Sequence, residues 1–180
     1  MKTLRPPTLL LLLLLAGCRG PDTIDVAPGA ALRLCPPEAA PDFFLNQEVV
    51  ITLPDGSRET LMAAMENRRG VLGLVAATPL GQTLFSIRVR DGKALVDVRA
   101  PLPGRFDPRM LPALVQFALW PEAAVRAGLG PGLRLEQYGA RRELLLRDQL
   151  VWSATRTGEA LVMEAPGLGL RLRIRTLDDL

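Results

Sequence analysis

Apolar and polar residues alternate with a period of two over much of the chain after residue 44. In the segment 169–176, Leu170, Leu172 and Ile174 share one face and three arginines share the other. A period of two is that of a β-strand with one buried and one solvated face. Turn residues separate the alternating segments, for example at 54–57 and at the Asp91-Gly92 hairpin signal. The pattern predicts about ten antiparallel strands.

The predicted strands cover residues 45–53, 60–66, 71–77, 84–90, 94–99, 133–138, 141–147, 149–156, 160–165 and 169–176. Segment 60–66 is ambiguous because it consists mostly of helix formers, but it is short and lies between two turn signals, which favours a strand. Strands at this spacing are typical of a sheet that curls into a barrel or half-barrel. The fold class expected is mainly β with inserted helices (α+β), in which a strongly curved antiparallel sheet forms an incomplete β-barrel with a helical lid or plug.

One interruption of the strands, near residues 107–128, has a helical pattern. Asp107 is a suitable N-cap and Pro108 a suitable first residue, although Pro112 strains the first turn, so the helix is expected to begin later. Its apolar positions form a broad stripe: Met110, Leu111, Leu114, Val115, Phe117 and Ala118. A second short helix covers residues 122–127 and ends at Gly128. Such an apolar stripe must be buried, and the face of the sheet is available.

The N-terminus has the order of a secretory signal. Lys2 and Arg5 precede an apolar run at 9–15, which is too short to cross a bilayer because about 20 residues are needed. The following Leu-Ala-Gly-Cys resembles the bacterial lipobox, which implies cleavage after residue 17 and lipidation of Cys18. The alternative is an ordinary signal peptide with an incidental cysteine. We therefore expect a signal peptide at 1–17, a lipid-anchored N-terminus with a Pro/Ala-rich tether at 18–44, and one folded domain at 45–180.

Composition removes several classes of function. Loss of Lys2 and Arg5 lowers the 22 basic residues to 20 against 19 acidic ones, a net charge of about +1, which gives no basic footprint for nucleic acid. The chain has no histidine, which removes Ser-His-Asp and Cys-His catalysis and most zinc or copper sites. With Cys18 acylated, Cys35 has no partner for an internal disulfide. We expect no cofactor, no metal and no enzymatic activity.

Two stretches, TPLGQTLF at 78–85 and FALWP at 117–121, resemble an uncharacterised family of Gram-negative outer-membrane lipoproteins related to LolB. The resemblance implies a curved half-barrel from the LolA/LolB-like carrier group, whose concave face holds acyl chains beneath helices. It also implies lipid or lipoprotein acyl chains as partners, together with a LolA-like periplasmic carrier. Because Arg19 is not acidic, the implied location is the outer membrane, facing the periplasm. LolB exposes an apolar residue on a hairpin loop, whereas the matching hairpin here, residues 66–70, is polar and basic.

The hypothesis that follows is a concave apolar cleft for a lipid, acyl or polyene-like cargo. The expected lining combines strand and helix positions: Leu61, Met65, Leu74, Phe85, Ile87, Val96, Leu172, Leu114, Phe117 and Trp120. Each buried CH₂ contributes about 0.8 kcal/mol, so a long chain is held until another apolar site receives it. The alternative is that these residues simply fill a closed core.

Two other functional classes stay open at this stage. The first is a docking or assembly lipoprotein that binds an envelope partner without cargo. The second is a hydrolase or acyltransferase that uses one of four nucleophiles, Ser57, Ser86, Ser153 or Cys35, with Lys93 or a carboxylate as base. The pairs Arg68-Arg69 and Arg141-Arg142 are candidates for contact with phosphate head groups, or else are solvated.

Overall fold

A computed structural model describes residues 22–101 and 107–177 of the protein. The strands are β1 (Thr23–Ala27), β2 (Ala30–Arg33), β3 (Phe43–Thr52), β4 (Arg58–Arg68), β5 (Val71–Ala77), β6 (Thr83–Arg90), β7 (Lys93–Val98), β8 (Leu133–Tyr138), β9 (Arg141–Leu146), β10 (Gln149–Thr157), β11 (Ala160–Ala165) and β12 (Leu170–Leu177). The helices are α1 (Leu111–Leu119) and α2 (Glu122–Ala127). Both the signal peptide at 1–17 and the lipidation residue Cys18 lie outside the described residues.

Ten of these strands form one antiparallel sheet in the order β7-β6-β5-β4-β3-β12-β11-β10-β9-β8. The expectation of a mainly β chain with about ten antiparallel strands and two helices is confirmed. The ambiguous segment is indeed a strand, since β4 pairs along its length with both β3 and β5. The sheet is not closed, because β7 and β8 are its two edges.

The connection between the two edge strands carries the helices. Neighbouring strands of the large sheet are consecutive in the chain and form hairpins, with one exception. The exception is the pair of β3 and β12, which joins the N-terminal and C-terminal groups of strands. The chain must therefore pass from the β7 edge to the β8 edge, and it does so with α1 packed on the buried face. Phe117 of α1 contacts Trp152 of β10 edge-on, with ring centroids 5.8 Å apart.

Local sequence signals place the start of α1. The Asp107 carboxylate accepts a hydrogen bond from the Arg109 backbone N–H at 3.0 Å, and a 3-10 turn, Pro108–Met110, precedes the helix. Pro112 then lies in the first turn of α1, where a missing N–H removes no intrahelical hydrogen bond. The helix begins later than Pro108, as its prolines predict.

Residues 22–44 do not form the expected tether. β1 and β2 pair as a hairpin that packs on the domain, and Val26, Leu32 and Leu34 are buried. The prolines that suggested a tether lie in turns: Pro28 separates the two strands, and Pro37 begins a 3-10 turn, Pro37–Ala39. An alternation of apolar residues through β1 and β2 was present in the sequence, but the proline content obscured it.

Asn67 of β4 holds the segment that links this hairpin to β3. Its side-chain nitrogen lies 3.1, 3.3 and 2.8 Å from the carbonyl oxygens of Pro37, Ala40 and Pro41. Asn67 is buried, and these contacts fix the segment against the end of the sheet where β4 turns into β5.

Candidate functional site

An apolar cavity of about 60 Å³ lies between α1 and the buried face of the sheet. Strands β3 to β6, β12 and α1 supply its lining: Gln47, Val49, Ile51, Leu61, Ala63, Met65, Leu74, Ala76, Phe85, Leu111, Val115, Leu172 and Ile174. None of these residues is charged, and Gln47 alone among them has a polar side chain. The surface resembles that of ligand pockets, which are mostly apolar with a few polar groups.

The strand register explains why space remains at this point. Gln47 pairs with Ala63, Ala63 pairs with Ala76, and Ala76 pairs with Phe85, so these four residues form one row across four strands. Two adjacent alanines in the middle of the row leave room that larger side chains would fill. Leu111 and Val115, one turn apart on α1, cover this row.

The cavity contains only part of the predicted cargo-binding surface. Leu61, Met65, Leu74, Phe85 and Leu172 line it. The other predicted residues do not: Ile87, Leu114, Phe117 and Trp120 are buried elsewhere in the core, and Val96 is half-buried near the β7 edge. The volume is far below the roughly 300–1,000 Å³ of ligand pockets, so most of the predicted surface is packed core in this conformation.

Five lining residues were absent from the predicted lining: Leu111 and Val115, which were assigned only to the apolar stripe of the helix, and Ala63, Ala76 and Gln47. The stripe on α1 is broad enough to touch both halves of the sheet, and Phe117 faces Trp152 rather than the cavity. Leu111 and Val115 are four residues apart and share the cavity face. That spacing indicated that Leu111 and Val115 share one face of the helix, but the sequence could not show which part of the stripe would contact β3 to β6.

Polar contacts hold the C-terminal half of α1. The side chain of Gln116 accepts a hydrogen bond from the Cys35 backbone N–H and donates one to the Cys35 carbonyl, both at 2.8 Å. Trp120 donates its indole N–H to the Pro36 carbonyl at 3.4 Å and meets Phe43 edge-on at 6.1 Å. These contacts lie at the end of the helix remote from Leu111.

The contacts of Gln116, Trp120 and Arg142 together form what we call the C-terminal anchor of α1. Arg142 contributes by capping the end of the helix. Its guanidinium donates to the carbonyl oxygens of Phe117 and Trp120, at 2.7 and 2.8 Å. Burial lowers the pKa of Arg142 and the charge of Glu122 opposes that shift, although the group stays protonated near neutral pH. A cation at this position satisfies carbonyls that a helix end leaves free.

Replacing Arg142 with methionine should lower the free energy of unfolding by about 1–3 kcal/mol, because it leaves two carbonyls at the end of α1 without donors. Urea denaturation of the soluble form measures this loss. The matched control is Arg156→Met on the exposed part of β10, which should change stability by less than about 0.5 kcal/mol. Equal effects of the two variants would show that the capping contacts contribute nothing.

Cys35 lies beside this anchor as a buried free thiol. Its Sγ is 3.0 Å from the Ala124 carbonyl oxygen. Burial raises the pKa of the Cys35 thiol, and the nearby positive charge of Arg33 offsets part of that effect. A thiol with a raised pKa is a poor nucleophile at neutral pH.

Four of the remaining candidate groups have local partners: Arg68, Arg141, Ser57 and Ser153. Arg68 lies 4.0 Å from Glu66, and Arg141 lies 2.6 Å from Glu143. Ser57 Oγ donates to the Asp55 carboxylate at 2.6 Å, which lowers the pKa of Asp55. Ser153 Oγ is 3.5 Å from Glu164. Within residues 22–101 and 107–177, no three metal-ligating side chains are grouped so that they would hold an ion.

Comparison with known families identifies the family to which the chain belongs. Residues 45–178 match the sequence profile of a family described as a protein of unknown function, DUF3261. The chain belongs to the DUF3261 family. The DUF3261 region contains the cavity and both helices, whereas the hairpin of β1 and β2 precedes it. No curated protein matches the chain. Across the described part of this DUF3261 protein, neither α1 nor α2 is long and apolar enough to span a bilayer.

Proposed function

We propose that this DUF3261 protein is a membrane-anchored lipoprotein that binds a lipid, acyl or polyene-like cargo between α1 and the sheet. It acts there as a carrier or receptor at the periplasmic face of the outer membrane, without catalysis. The observation that carries the proposal is the cavity, whose lining is apolar apart from one amide and contains no charge. The lipobox at Cys18 and the resemblance to LolB-related lipoproteins support the membrane location.

Cargo entry requires α1 to move. The cavity of about 60 Å³ is too small for an acyl chain, so the sheet and helix must separate to admit one. The polar anchors described above hold Gln116 and the carbonyls of Phe117 and Trp120, at the C-terminal half of the helix. Leu111 and Val115 contribute apolar contacts at the other half. We therefore propose that α1 pivots on its C-terminal anchor, and that the open sheet acts as the concave half-barrel that receives the chain.

The turn between β5 and β6 supplies a candidate point of contact with the membrane. Leu80 in this turn is 97% exposed. It follows Ala76 and precedes Phe85, and both of these residues line the cavity. An isolated exposed leucine is common on protein surfaces, but one at the tip of a hairpin beside an apolar cavity is suited to touch a bilayer or a carrier protein as cargo passes.

Native mass spectrometry of the soluble form lacking residues 1–18, purified without detergent, tests the proposal. Bound lipid-like molecules should be detected and should be recovered by organic extraction. In parallel, the purified protein should bind a fluorescent fatty acid. A protein that is empty and also refuses the fluorescent probe would contradict the proposal.

A pair of variants on β5 tests whether the fluorescent fatty acid binds in the cavity. Ala76→Phe fills the cavity from the sheet and should weaken probe binding at least about tenfold, at a cost in stability of about 1–3 kcal/mol from overpacking. Val75→Phe is the matched control, because Val75 is adjacent but lies on the exposed face. Val115→Phe fills the same space from α1 and replaces Ala76→Phe if that variant does not fold. Unchanged binding in folded cavity variants would place the cargo elsewhere.

One observation favours docking as a second candidate function. Phe44 and Leu95, 56% and 70% exposed, lie on the outer face in one row that crosses Glu66, Gly73 and Arg88 and ends at the β7 edge. Exposed apolar side chains at the two ends of this row, one of them on an unpaired edge strand, suit an envelope partner. Under this alternative, the empty protein forms a stable complex that Leu95→Glu abolishes and Ala76→Phe leaves intact.

A further inference from the structure

Gln47 is a largely buried residue whose side-chain amide has no hydrogen-bond partner in the described part of the chain. Its side chain lies on the buried face of β3, between Ala63 of β4 and Thr176 of β12, and lines the apolar cavity. It is only 8% exposed. Within residues 22–101 and 107–177, no hydrogen-bond partner is found for its side-chain amide.

The other buried amides behave differently. Gln116 uses both ends of its amide on the backbone of Cys35, and the nitrogen of Asn67 meets three carbonyls. Both are structural groups that join distant segments. The Gln47 amide instead leaves an unpaired polar group on the surface of the cavity, where an apolar side chain would complete the apolar lining. No hydrogen bond within the described part of the fold accounts for a glutamine there.

We infer that Gln47 is a ligand-binding residue that hydrogen bonds to an uncharged polar group of the cargo, such as an ester or amide carbonyl or a hydroxyl. This inference rests on the proposed function, since it takes the cavity to be the cargo site. A primary amide offers two donors and one acceptor, so it pairs with any of these groups. The cargo is then an acyl ester, acyl amide or alcohol rather than a plain hydrocarbon.

The charge of the lining separates this class from free fatty acids. No lysine or arginine lines the cavity, so an ionised carboxylate there would be buried without a positive partner. An ester places the same carbonyl beside the amide without a net charge. The expected order of affinity at neutral pH is therefore methyl dodecanoate first, with dodecane and sodium dodecanoate both weaker.

Displacement of a fluorescent acyl probe by these three compounds tests the inference on the wild-type soluble form and on Gln47→Met. Methionine is unbranched and of similar size, so it keeps the space filled while removing the hydrogen bond. The wild type should prefer methyl dodecanoate over dodecane by about fivefold to tenfold, as expected for one hydrogen bond. In Gln47→Met this preference should disappear while dodecane binds as well or better. Gln149→Met, at an exposed position of β10, is the matched control and should keep the wild-type preference.

The outcomes distinguish this inference from the function on which it rests. If none of the three compounds displaces the probe and the probe itself does not bind, the proposed function fails. If all bind but the ester preference is absent, or persists in Gln47→Met, the inference about Gln47 is wrong and the carrier function stands. Urea denaturation of the empty proteins adds a check that needs no cargo: Gln47→Met should be at least as stable as the wild type. A clear loss of stability would show that the amide has a structural partner and would overturn the inference.

Discussion

Replacing Phe117 with alanine should lower the free energy of unfolding by about 3–5 kcal/mol, the cost typical of truncating a fully buried phenylalanine. Phe117 has no exposed surface and meets Trp152 edge-on, so α1 is joined to β10 through this ring. Truncation removes that aromatic contact and leaves a cavity between the helix and the C-terminal strands. Small domains have only about 5–15 kcal/mol of net stability, so the loss is a large part of the whole.

Urea denaturation of the soluble form, followed by tryptophan fluorescence, measures this effect because Trp152 lies against the missing ring. Phe44→Ala is the matched control: it removes the same side chain from β3, but at a position that is 56% exposed. We expect the control to change stability by less than about 1 kcal/mol. Comparable losses in both variants would contradict the view that α1 is held to the sheet by Phe117.

Replacing Asn67 with aspartate should lower the free energy of unfolding by about 3–5 kcal/mol at neutral pH, because a buried carboxylate would then face backbone carbonyl oxygens. Asn67 is 2% exposed, and its nitrogen meets the carbonyls of Pro37, Ala40 and Pro41. Its Oδ1 atom already lacks a donor in the part of the chain that the structure describes. Aspartate is almost the same shape, so the loss reports electrostatics and hydrogen bonding rather than packing.

The pH dependence of Asn67→Asp supplies a second test. Burial beside carbonyl oxygens disfavours the ionised form, so the pKa of the new carboxyl is raised in the folded state above its value of about 3.9 in the unfolded chain. Folding then favours proton uptake. The variant should come closest to the wild type below the unfolded pKa and lose relative stability as pH rises through the folded pKa. Glu66→Gln, at the adjacent exposed position of β4, is the control and should show neither effect. A deficit that does not depend on pH would rule out the proposed carboxylate repulsion.

Local sequence signals were sufficient for most elements of the sheet. Strands such as β6 and β12 alternate clearly, and Gly and Pro mark the turns between them, so hairpins follow from neighbouring residues alone. Asp107, which caps the 3-10 turn before α1, and the prolines near it marked the start of the helical segment. The pairing of β3 with β12 has no local signal, because it joins segments more than a hundred residues apart along the chain.

The candidate site was less predictable than the fold. Leu61, Leu74 and Phe85 were placed on the correct face by alternation, but alternation does not show which part of a long face stays open. That depends on where α1 crosses the sheet and on the small residues beneath it. Gln47 could have been identified from the sequence, because Val49 and Ile51 fix the phase of β3 and place residue 47 on the inward face. A polar residue on an apolar face was the signal, and its lack of a partner required the structure.

The order of strands also has a consequence for how the chain folds. β3 to β7 form a contiguous set of hairpins, yet the outer edge of β3 pairs only with β12, the last strand of the sheet along the chain. Until β12 has paired, that edge presents unpaired backbone groups able to template association with other chains. Pairing of β12 therefore covers the exposed edge of β3. Deleting β12 should yield an aggregating product rather than a shortened but folded protein.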